Sequence, residues 1–331
     1  MKESQYLCPV KVYKNQYIAW AAATQLVVFN IESSLLELDV DCDGHSDAIR
    51  SIAFHPDGSM VVTAGEDKKV FLWRRTDTFR WEIACTFLHA KKIMSVEFLN
   101  DSEIIFGDKF GDFFKISLQS NQFGESELMF GHLAAVSAAI YSRSRSLLVS
   151  ADRDEKIRLT QFPKYWNIGS FLFGHRRYVS ALSFTDPGEH TLVSAGADGV
   201  VALWDIANTN DPKQVWSLQL EEGSINAMVV TADGEVLAIR TEDPSKILRI
   251  RNGVVHGQYD VAREAQAVVA LANGAVAVVD DMSHLCFIEG QTVKISKDVA
   301  GLPVSLMKFV HHENLDGNEY GERKRQKNRD E

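Results

Sequence analysis

Histidine, aspartate and a hydroxyl-bearing residue recur together in this chain, and the same three residue types make up a hydrolytic triad. The sets are His45 with Thr63 and Asp67, His132 with Ser150 and Asp154, and His175 with Ser194 and Asp198. Successive histidines, with His89 among them, lie 44, 43 and 43 residues apart. A catalytic triad has no reason to recur at a fixed period, whereas a buried polar group left unpaired costs about 1–3 kcal/mol. We therefore interpret the three sets as structural hydrogen-bonded pairs.

The elements around each histidine follow the order of a WD repeat. In the second unit, Gly44-His45 precedes an apolar run, a turn, a second run, Asp67 and then Leu72-Trp73. Short β-branched runs joined by Gly, Asp and Pro indicate antiparallel hairpins. A period near 43 residues is typical of a propeller blade with four strands. The histidine turn and the aspartate turn should then meet at one end of each blade.

Seven units can be counted, although several are degenerate. The third carries Phe110 where the aspartate should fall, and the sixth and seventh lack the histidine. The sequence predicts an all-β, seven-bladed WD-repeat propeller over 1–310. We expect 311–331, which has no apolar period, to be a disordered polar tail. Either the run 10–13 or the run 304–309 could close the ring, and the pattern does not choose between them.

The composition and the absence of several motifs argue against a number of functions. The chain has 331 residues and a formal net charge of −10, so it should bind nucleic acid weakly without a basic partner. Its four cysteines are isolated, which predicts neither a zinc site nor a disulfide framework. There is no apolar run of about 18 residues and no phosphate-loop or dinucleotide motif. We expect no membrane span, no cofactor, no metal and no catalytic residues.

Charged residues gather in the turns of units three to five. The cations are Lys91, Lys92, Lys109, Arg153, Lys156, Arg158, Arg176 and Arg177. The corresponding turns elsewhere are acidic or neutral, so the repeat alignment predicts a basic sector over three adjacent blades. The tail adds five basic residues within 323–329. Such a run suggests nuclear localisation, with a solubilising tail as the alternative, and we expect the nucleus with the cytoplasm as a second compartment.

Two segments resemble a known family, the WD-repeat, non-catalytic subunit of tRNA guanine-N7 methyltransferase. They are Ser-Ala-Asp-Arg-Asp-Glu-Lys-Ile-Arg at 150–158 and Phe-Leu-Phe-Gly-His-Arg-Arg-Tyr-Val-Ser at 171–180. Phe162-Pro163-Lys164 and the hairpin at 108–112 are similar too. The close match runs from about Gly107 to Trp204, and a generic WD repeat would not be expected to share it.

The resemblance implies a heterodimer with a catalytic methyltransferase subunit that binds S-adenosylmethionine and most of the tRNA. It also implies partner-binding residues: Arg158 in a salt bridge to the partner, Glu155 in the same contact, and Lys109, Lys92 and Arg153 nearby. We expect Arg158 to be partly solvated in the free chain, so that Arg158→Glu breaks the heterodimer without unfolding the propeller. The alternative is a general WD-repeat adaptor, such as a ubiquitin-ligase substrate receptor or a chromatin-binding scaffold.

Overall fold

A computed structural model describes residues 8–37, 44–220, 223–281, 283–289 and 292–295. These residues form seven antiparallel sheets of four strands each, and the four strands of every sheet are consecutive in the chain. Each sheet is one blade, numbered here from the N-terminal end. The prediction of a seven-bladed, all-β propeller is confirmed. The expected tail at 311–331 and its basic run lie outside the described residues.

The strands of the first four blades have the following bounds. Blade 1 consists of β1 (Val10–Tyr13), β2 (Tyr17–Ala22), β3 (Gln25–Asn30) and β4 (Leu35–Leu36). Blade 2 consists of β5 (Ile49–Phe54), β6 (Met60–Gly65), β7 (Lys69–Arg75) and β8 (Trp81–Leu88). Blade 3 consists of β9 (Ile93–Asn100), β10 (Glu103–Asp108), β11 (Asp112–Gln119) and β12 (Gln122–Gly131). Blade 4 consists of β13 (Val136–Ser142), β14 (Leu147–Asp152), β15 (Ile157–Gln161) and β16 (Ile168–Leu172).

The remaining three blades follow the same plan. Blade 5 consists of β17 (Val179–Phe184), β18 (Thr191–Gly196), β19 (Val200–Asp205) and β20 (Lys213–Gln219). Blade 6 consists of β21 (Ile225–Val230), β22 (Val236–Arg240), β23 (Lys246–Arg251) and β24 (Val254–Asp260). Blade 7 consists of β25 (Ala265–Ala270), β26 (Val276–Asp280), β27 (Leu285–Glu289) and β28 (Thr292–Ile295).

The ring closes through packing between blades 1 and 7. The first strands of neighbouring blades contact one another around the whole ring, including β25 with β1. Trp20 and Val27 of blade 1 share an apolar cluster with Val279 of blade 7. The run 10–13 is therefore the first strand of blade 1 and does not complete another blade. The other candidate for closure, 304–309, lies outside the described residues.

Burial explains the residue pattern of the strands. The second strand of a blade packs on neighbouring blades with both faces, and every residue of β14 is buried. An outer strand such as β8 instead alternates between inward and exposed side chains, the period of two expected for a half-buried strand.

Among the described residues, the apolar cluster with the fewest buried members lies at the junction between blades 3 and 4. Its five buried residues are Leu99, Ile105, Phe113, Val136 and Leu148. The junction between blades 4 and 5 contains 13 buried residues. Six partly buried hydrophobic residues, Phe130 among them, pack against the cluster between blades 3 and 4.

Candidate functional site

The turn between the second and third strands has five residues in each of blades 2 to 5. These turns are 65–69, 108–112, 152–156 and 196–200. In each case the residue just before the turn is paired with the residue just after it across the two strands. Because the lengths agree, the residues can be compared position by position. The first position holds Gly65, Asp108, Asp152 and Gly196, and the third holds Asp67, Phe110, Asp154 and Asp198.

In blades 2 and 5 the histidine is paired with the aspartate at the third position. His45 Nδ1 lies 2.9 Å from Asp67 Oδ1, and His175 Nδ1 lies 3.1 Å from Asp198 Oδ1. On the other side of the ring, His45 Nε2 lies 2.8 Å from Thr63 Oγ1. A carboxylate accepts only, so Nδ1–H of each histidine donates to its aspartate. Both predicted pairs are present, and they serve the fold.

In blades 3 and 4 the histidine is paired with an aspartate at the first position. His132 Nδ1 lies 3.1 Å from Asp152 Oδ2, and His89 Nε2 lies 3.4 Å from Asp108 Oδ2. The prediction that Asp154 pairs with His132 is wrong, since Asp154 is exposed. The third blade, which was expected to lack its aspartate, has one at Asp108, two residues earlier than the repeat alignment predicts.

Close packing at the first position accounts for the two arrangements. A Cβ atom at Gly196 would lie 2.7 Å from both His175 Nδ1 and Asp198 Oδ1, so the pair in blade 5 requires glycine there. In blade 4 the side chain of Asp152 occupies that space itself. Its Oδ2 meets the histidine, while its Oδ1 accepts hydrogen bonds from the backbone N–H groups of Asp154 (3.0 Å) and Lys156 (3.3 Å).

The pairing also sets the ionisation of these carboxylates. Burial by itself raises the pKa of Asp152, but hydrogen bonds from His132 and from backbone N–H groups outweigh it, and the pKa is lowered overall. The same balance lowers the pKa of Asp67 and of Asp198. All three aspartates therefore contribute to the fold as carboxylates.

The shift of the aspartate frees the tips of the turns in blades 3 and 4. Phe110, at the third position of blade 3, is 62% exposed. Lys91 Nζ lies 4.1 Å from the centre of its ring. In blade 4 the third and fourth positions are Asp154 and Glu155, both exposed. Glu155 has a φ of 73°, in the left-handed region where non-glycine residues are uncommon.

A third segment joins these two turns into one surface. The backbone N–H of His132 donates to the carbonyl of Gly111 (2.9 Å), and that of Arg153 donates to the carbonyl of Ala135 (2.9 Å). Between these bonds Leu133 is 92% exposed. We call residues 108–112, 131–135 and 152–156 the blade 3/4 turn surface.

Exposed charges of both signs surround the apolar residues of this surface. Lys109 and Arg153 stand at the second position of their turns and are exposed. Among the described residues, neither they nor Lys156 has a carboxylate within 4.0 Å, and Asp154 and Glu155 have no cation within that distance. Arg176 and Arg177 of blade 5 are exposed too. The predicted basic sector is thus a mixed surface, with cations at the second turn position and acids at the tip of blade 4.

Lys92 differs from the other predicted partner-binding residues because its charge is matched within the chain. It forms an ion pair with Glu66 and lies 3.7 Å from Asp47. Glu66 also binds Arg50, whose Nε donates to Glu66 Oε1 (2.7 Å). The structure therefore places Lys92 in a charge network of blades 2 and 3, beside the blade 3/4 turn surface.

Arg158 lies beneath this surface rather than on it. The residue is 5% exposed, and the expectation that it is partly solvated in the free chain is wrong. Its guanidinium stacks on the Phe130 ring at 4.3 Å and donates to the carbonyls of Gly131 (3.2 Å) and Tyr165 (3.4 Å). Burial lowers its pKa. No carboxylate of the described residues lies within 4.0 Å of it, so carbonyl dipoles and a ring face stabilise the cation.

Exposed apolar residues are what sequence reasoning missed at this site. Leu133 follows the structural histidine His132, and the residues next to it in the sequence did not indicate that it would be exposed. The signal was available by alignment: the equivalent residues after the histidines of blades 2, 3 and 5 are Ser46, Ala90 and Arg176, all exposed. Leu133 and the exposed Phe110 of the adjoining turn together form an exposed apolar pair, which makes them candidate contact residues.

The described residues contain neither a helix long and apolar enough to cross a membrane nor a group of side chains able to hold a metal ion. The exposed turns and their unpaired side chains are suited to binding a macromolecule.

The family model of the tRNA methyltransferase TRM82 WD40 domain matches residues 119–289, which include blades 4, 5 and 6. The chain belongs to this family. A general model of the WD domain, G-beta repeat, matches residues 37–74 as well. The region that matches the TRM82 WD40 model contains two of the three segments of the blade 3/4 turn surface, 131–135 and 152–156.

The names of similar curated proteins are consistent with this family. The tRNA (guanine-N(7)-)-methyltransferase non-catalytic subunit wdr4 of Dictyostelium discoideum is 32% identical over 58% of this chain and 44% of that protein. The human non-catalytic subunit WDR4 is 30% identical over 50% of this chain and 40% of its own length. The chain thus spans less than half the length of these curated relatives.

Solved structures show the same fold. The Cps50 (Swd1) beta-propeller domain of Myceliophteria thermophila superposes with a TM-score of 0.73 at 13% identity, covering 85% of this chain and 95% of that one. The WD40 beta propeller domain of Doa1 superposes with a TM-score of 0.66 at 15% identity, covering 88% and 96%.

Proposed function

We propose that this chain is the non-catalytic subunit of a heterodimeric tRNA guanine-N7 methyltransferase. It binds the catalytic subunit through the blade 3/4 turn surface and stabilises it for methylation of a guanine in the tRNA variable loop. The observation that carries the proposal is that the exposed, unpaired residues of blade 4 fall within the region matching the family. The names of the relatives support the division of labour, since each is called a non-catalytic subunit.

The partner supplies the chemistry in this proposal. The catalytic subunit holds S-adenosylmethionine and the target guanine, and the propeller contributes no reacting group. A chain with a net charge of −10 is also poorly suited to hold tRNA phosphates alone, so most of the tRNA contact belongs to the partner.

Co-expression with the methyltransferase subunit of the same organism tests the proposal. We expect a one-to-one complex in size-exclusion chromatography, and N7 methylation of tRNA by the complex but not by this chain alone. Co-elution failure, or a pull-down in which the stoichiometric partner is a ubiquitin-ligase or chromatin component, would favour the adaptor alternative. Methylation by the isolated chain would contradict its non-catalytic role.

We also propose that the basic run within 323–329 directs the complex to the nucleus. Deletion of residues 317–331 should leave the melting temperature unchanged and reduce nuclear accumulation of a fluorescent fusion. Unchanged import would contradict this proposal.

A further inference from the structure

Leu133 is the most exposed large apolar side chain among the described residues, at 92%. The fold does not require an apolar residue there, because the equivalent positions in blades 2, 3 and 5 carry Ser46, Ala90 and Arg176. A second exposed apolar residue, Phe110 at 62%, lies on the turn 108–112, which is hydrogen-bonded to the segment of Leu133 through His132 and Gly111. Two exposed apolar side chains on adjoining segments make this surface a candidate for contact with a partner.

The backbone that carries Leu133 is held on both sides. The preceding residue, His132, is fixed by Asp152 (3.1 Å) and Ser150 (2.8 Å) through its ring. Its backbone N–H bonds to Gly111, and the carbonyl of Ala135 accepts from Arg153. Because the segment is already ordered, little conformational entropy is lost when a partner covers it. A side chain presented in this way is suited to act as an anchor.

The neighbours of Leu133 define what a partner must offer. Phe110, 62% exposed, extends the apolar area from the adjoining turn. Lys109 and Arg153, at the second positions of the two turns, have no ion pair among the described residues, and the same holds for Asp154 and Glu155 at the tip of blade 4. A charge that is covered without a partner of opposite sign is strongly unfavourable, so the partner must match both signs.

We propose that Leu133 is the apolar anchor of the heterodimer. It inserts into an apolar pocket of the catalytic subunit, and this pocket is bordered by a carboxylate facing Lys109 and Arg153 and by a cation facing Asp154 and Glu155. The inference rests on the proposed function and specifies the chemistry of the partner's surface. Leu133 contributes affinity, and the surrounding charges select orientation and raise the association rate.

Calorimetric titration of the purified catalytic subunit into full-length variants of this chain tests the anchor. Leu133→Ala should raise the dissociation constant about 10- to 100-fold, the effect expected for removing a fully buried leucine side chain. Leu133→Met, which keeps most of the apolar volume, should stay within about 5-fold of wild type. The matched control is Leu35→Ala, since Leu35 is 63% exposed in blade 1, and it should bind like wild type.

The melting temperature should be the same for all four proteins, because neither leucine is buried in the free chain. Wild-type affinity in Leu133→Ala, or an equal loss in Leu35→Ala, would overturn the anchor while leaving the proposed function intact. If Leu133→Ala instead weakens only the binding of tRNA to the isolated chain, the surface faces nucleic acid and the anchor is also overturned. Absence of any wild-type complex would refute the proposed function itself.

Discussion

The turns of blade 2 and blade 4 have the same length and meet the same kind of histidine, yet they leave different groups in solvent. In blade 2 the third-position Asp67 is used by His45. In blade 4 the first-position Asp152 takes that role, and Asp154 is released to the surface. Moving a structural carboxylate by two residues thus converts a turn that serves the fold into a turn whose tip is available for binding.

The two blades also differ in whether the charged residue at the second turn position forms an ion pair within the chain. Glu66 of blade 2 binds Arg50 and Lys92, so its charge is satisfied within the chain. The equivalent second-position residue of blade 4, Arg153, is exposed and has no carboxylate within 4.0 Å among the described residues. Exposed ion pairs contribute little to stability, so the unpaired arrangement costs the fold almost nothing.

Reversing the buried charge at Arg158 should lower the stability of the propeller more than any other change considered for blades 2 to 4. A carboxylate there would face the Phe130 ring and two carbonyl oxygens with no donor, so Arg158→Glu should destabilise the propeller by about 3–5 kcal/mol. The matched control is Arg153→Glu, the same reversal on the surface of the same blade, which should stay within about 0.5 kcal/mol. Urea unfolding of the free chain measures both. Equal stability of the two variants would mean that Arg158 is not part of the junction between blades 3 and 4.

The second largest effect on stability should come from the two aspartates of blade 4, because Asp152 is paired and Asp154 is exposed. Asp152→Ala leaves His132 and two backbone N–H groups without an acceptor, and it should cost about 1–3 kcal/mol. Asp154→Ala removes an exposed carboxylate and should change stability by less than about 0.5 kcal/mol. Thermal unfolding of both variants decides the assignment. A larger loss in Asp154→Ala would restore the pairing expected from the repeat alignment.

Acid should weaken the structural pairs between histidine and aspartate. The pKa of Asp67, Asp152 and Asp198 is lowered in the folded chain, so their contribution is complete above the unfolded value of about 3.9 and is lost as the pH falls through the lower folded values. The stability difference between wild type and Asp152→Asn should therefore shrink when the pH falls from about 5 to about 2. Urea titrations across that range measure the difference, and a constant gap would contradict the pairing.

The smallest effect is expected from single surface charges. Arg153→Glu should weaken binding of the catalytic subunit by about 3- to 10-fold at low salt, and the loss should diminish as salt increases. The reversal of Lys11, which pairs with Glu97 in blades 1 and 3, is the control, and it should leave affinity unchanged. An effect of Arg153→Glu that does not respond to salt would indicate a structural cause.

Repetition allowed much of this molecule to be predicted from its sequence. The period of the histidines, the turn residues and the run lengths gave seven blades of all-β structure, and the pairs of His45 and His175 followed from spacing alone. The same alignment failed at His132, because two aspartates near the expected position are compatible with the pattern. Only packing against a first-position side chain decides between Asp152 and Asp154.

Exposure was harder to predict than fold. Arg158 follows a turn and reads as a solvated strand residue, but it is enclosed by the ring of Phe130 from blade 3 and by the carbonyl of Tyr165 in the connection that follows β15. Leu133 reads as an ordinary apolar residue before a strand, although the turn that carries it faces solvent. Both outcomes depend on how neighbouring blades meet, which a pattern within one repeat does not contain.

Hydrogen exchange of the free chain and of its complex with the catalytic subunit tests the central claim most directly, because it reports on both kinds of turn in one experiment. We predict that complex formation slows backbone amide exchange in 108–112, 131–135 and 152–156, while 44–48 and 65–69 of blade 2 are unchanged. Slowed exchange in the blade 2 turns, with no change across the blade 3/4 turn surface, would contradict the account.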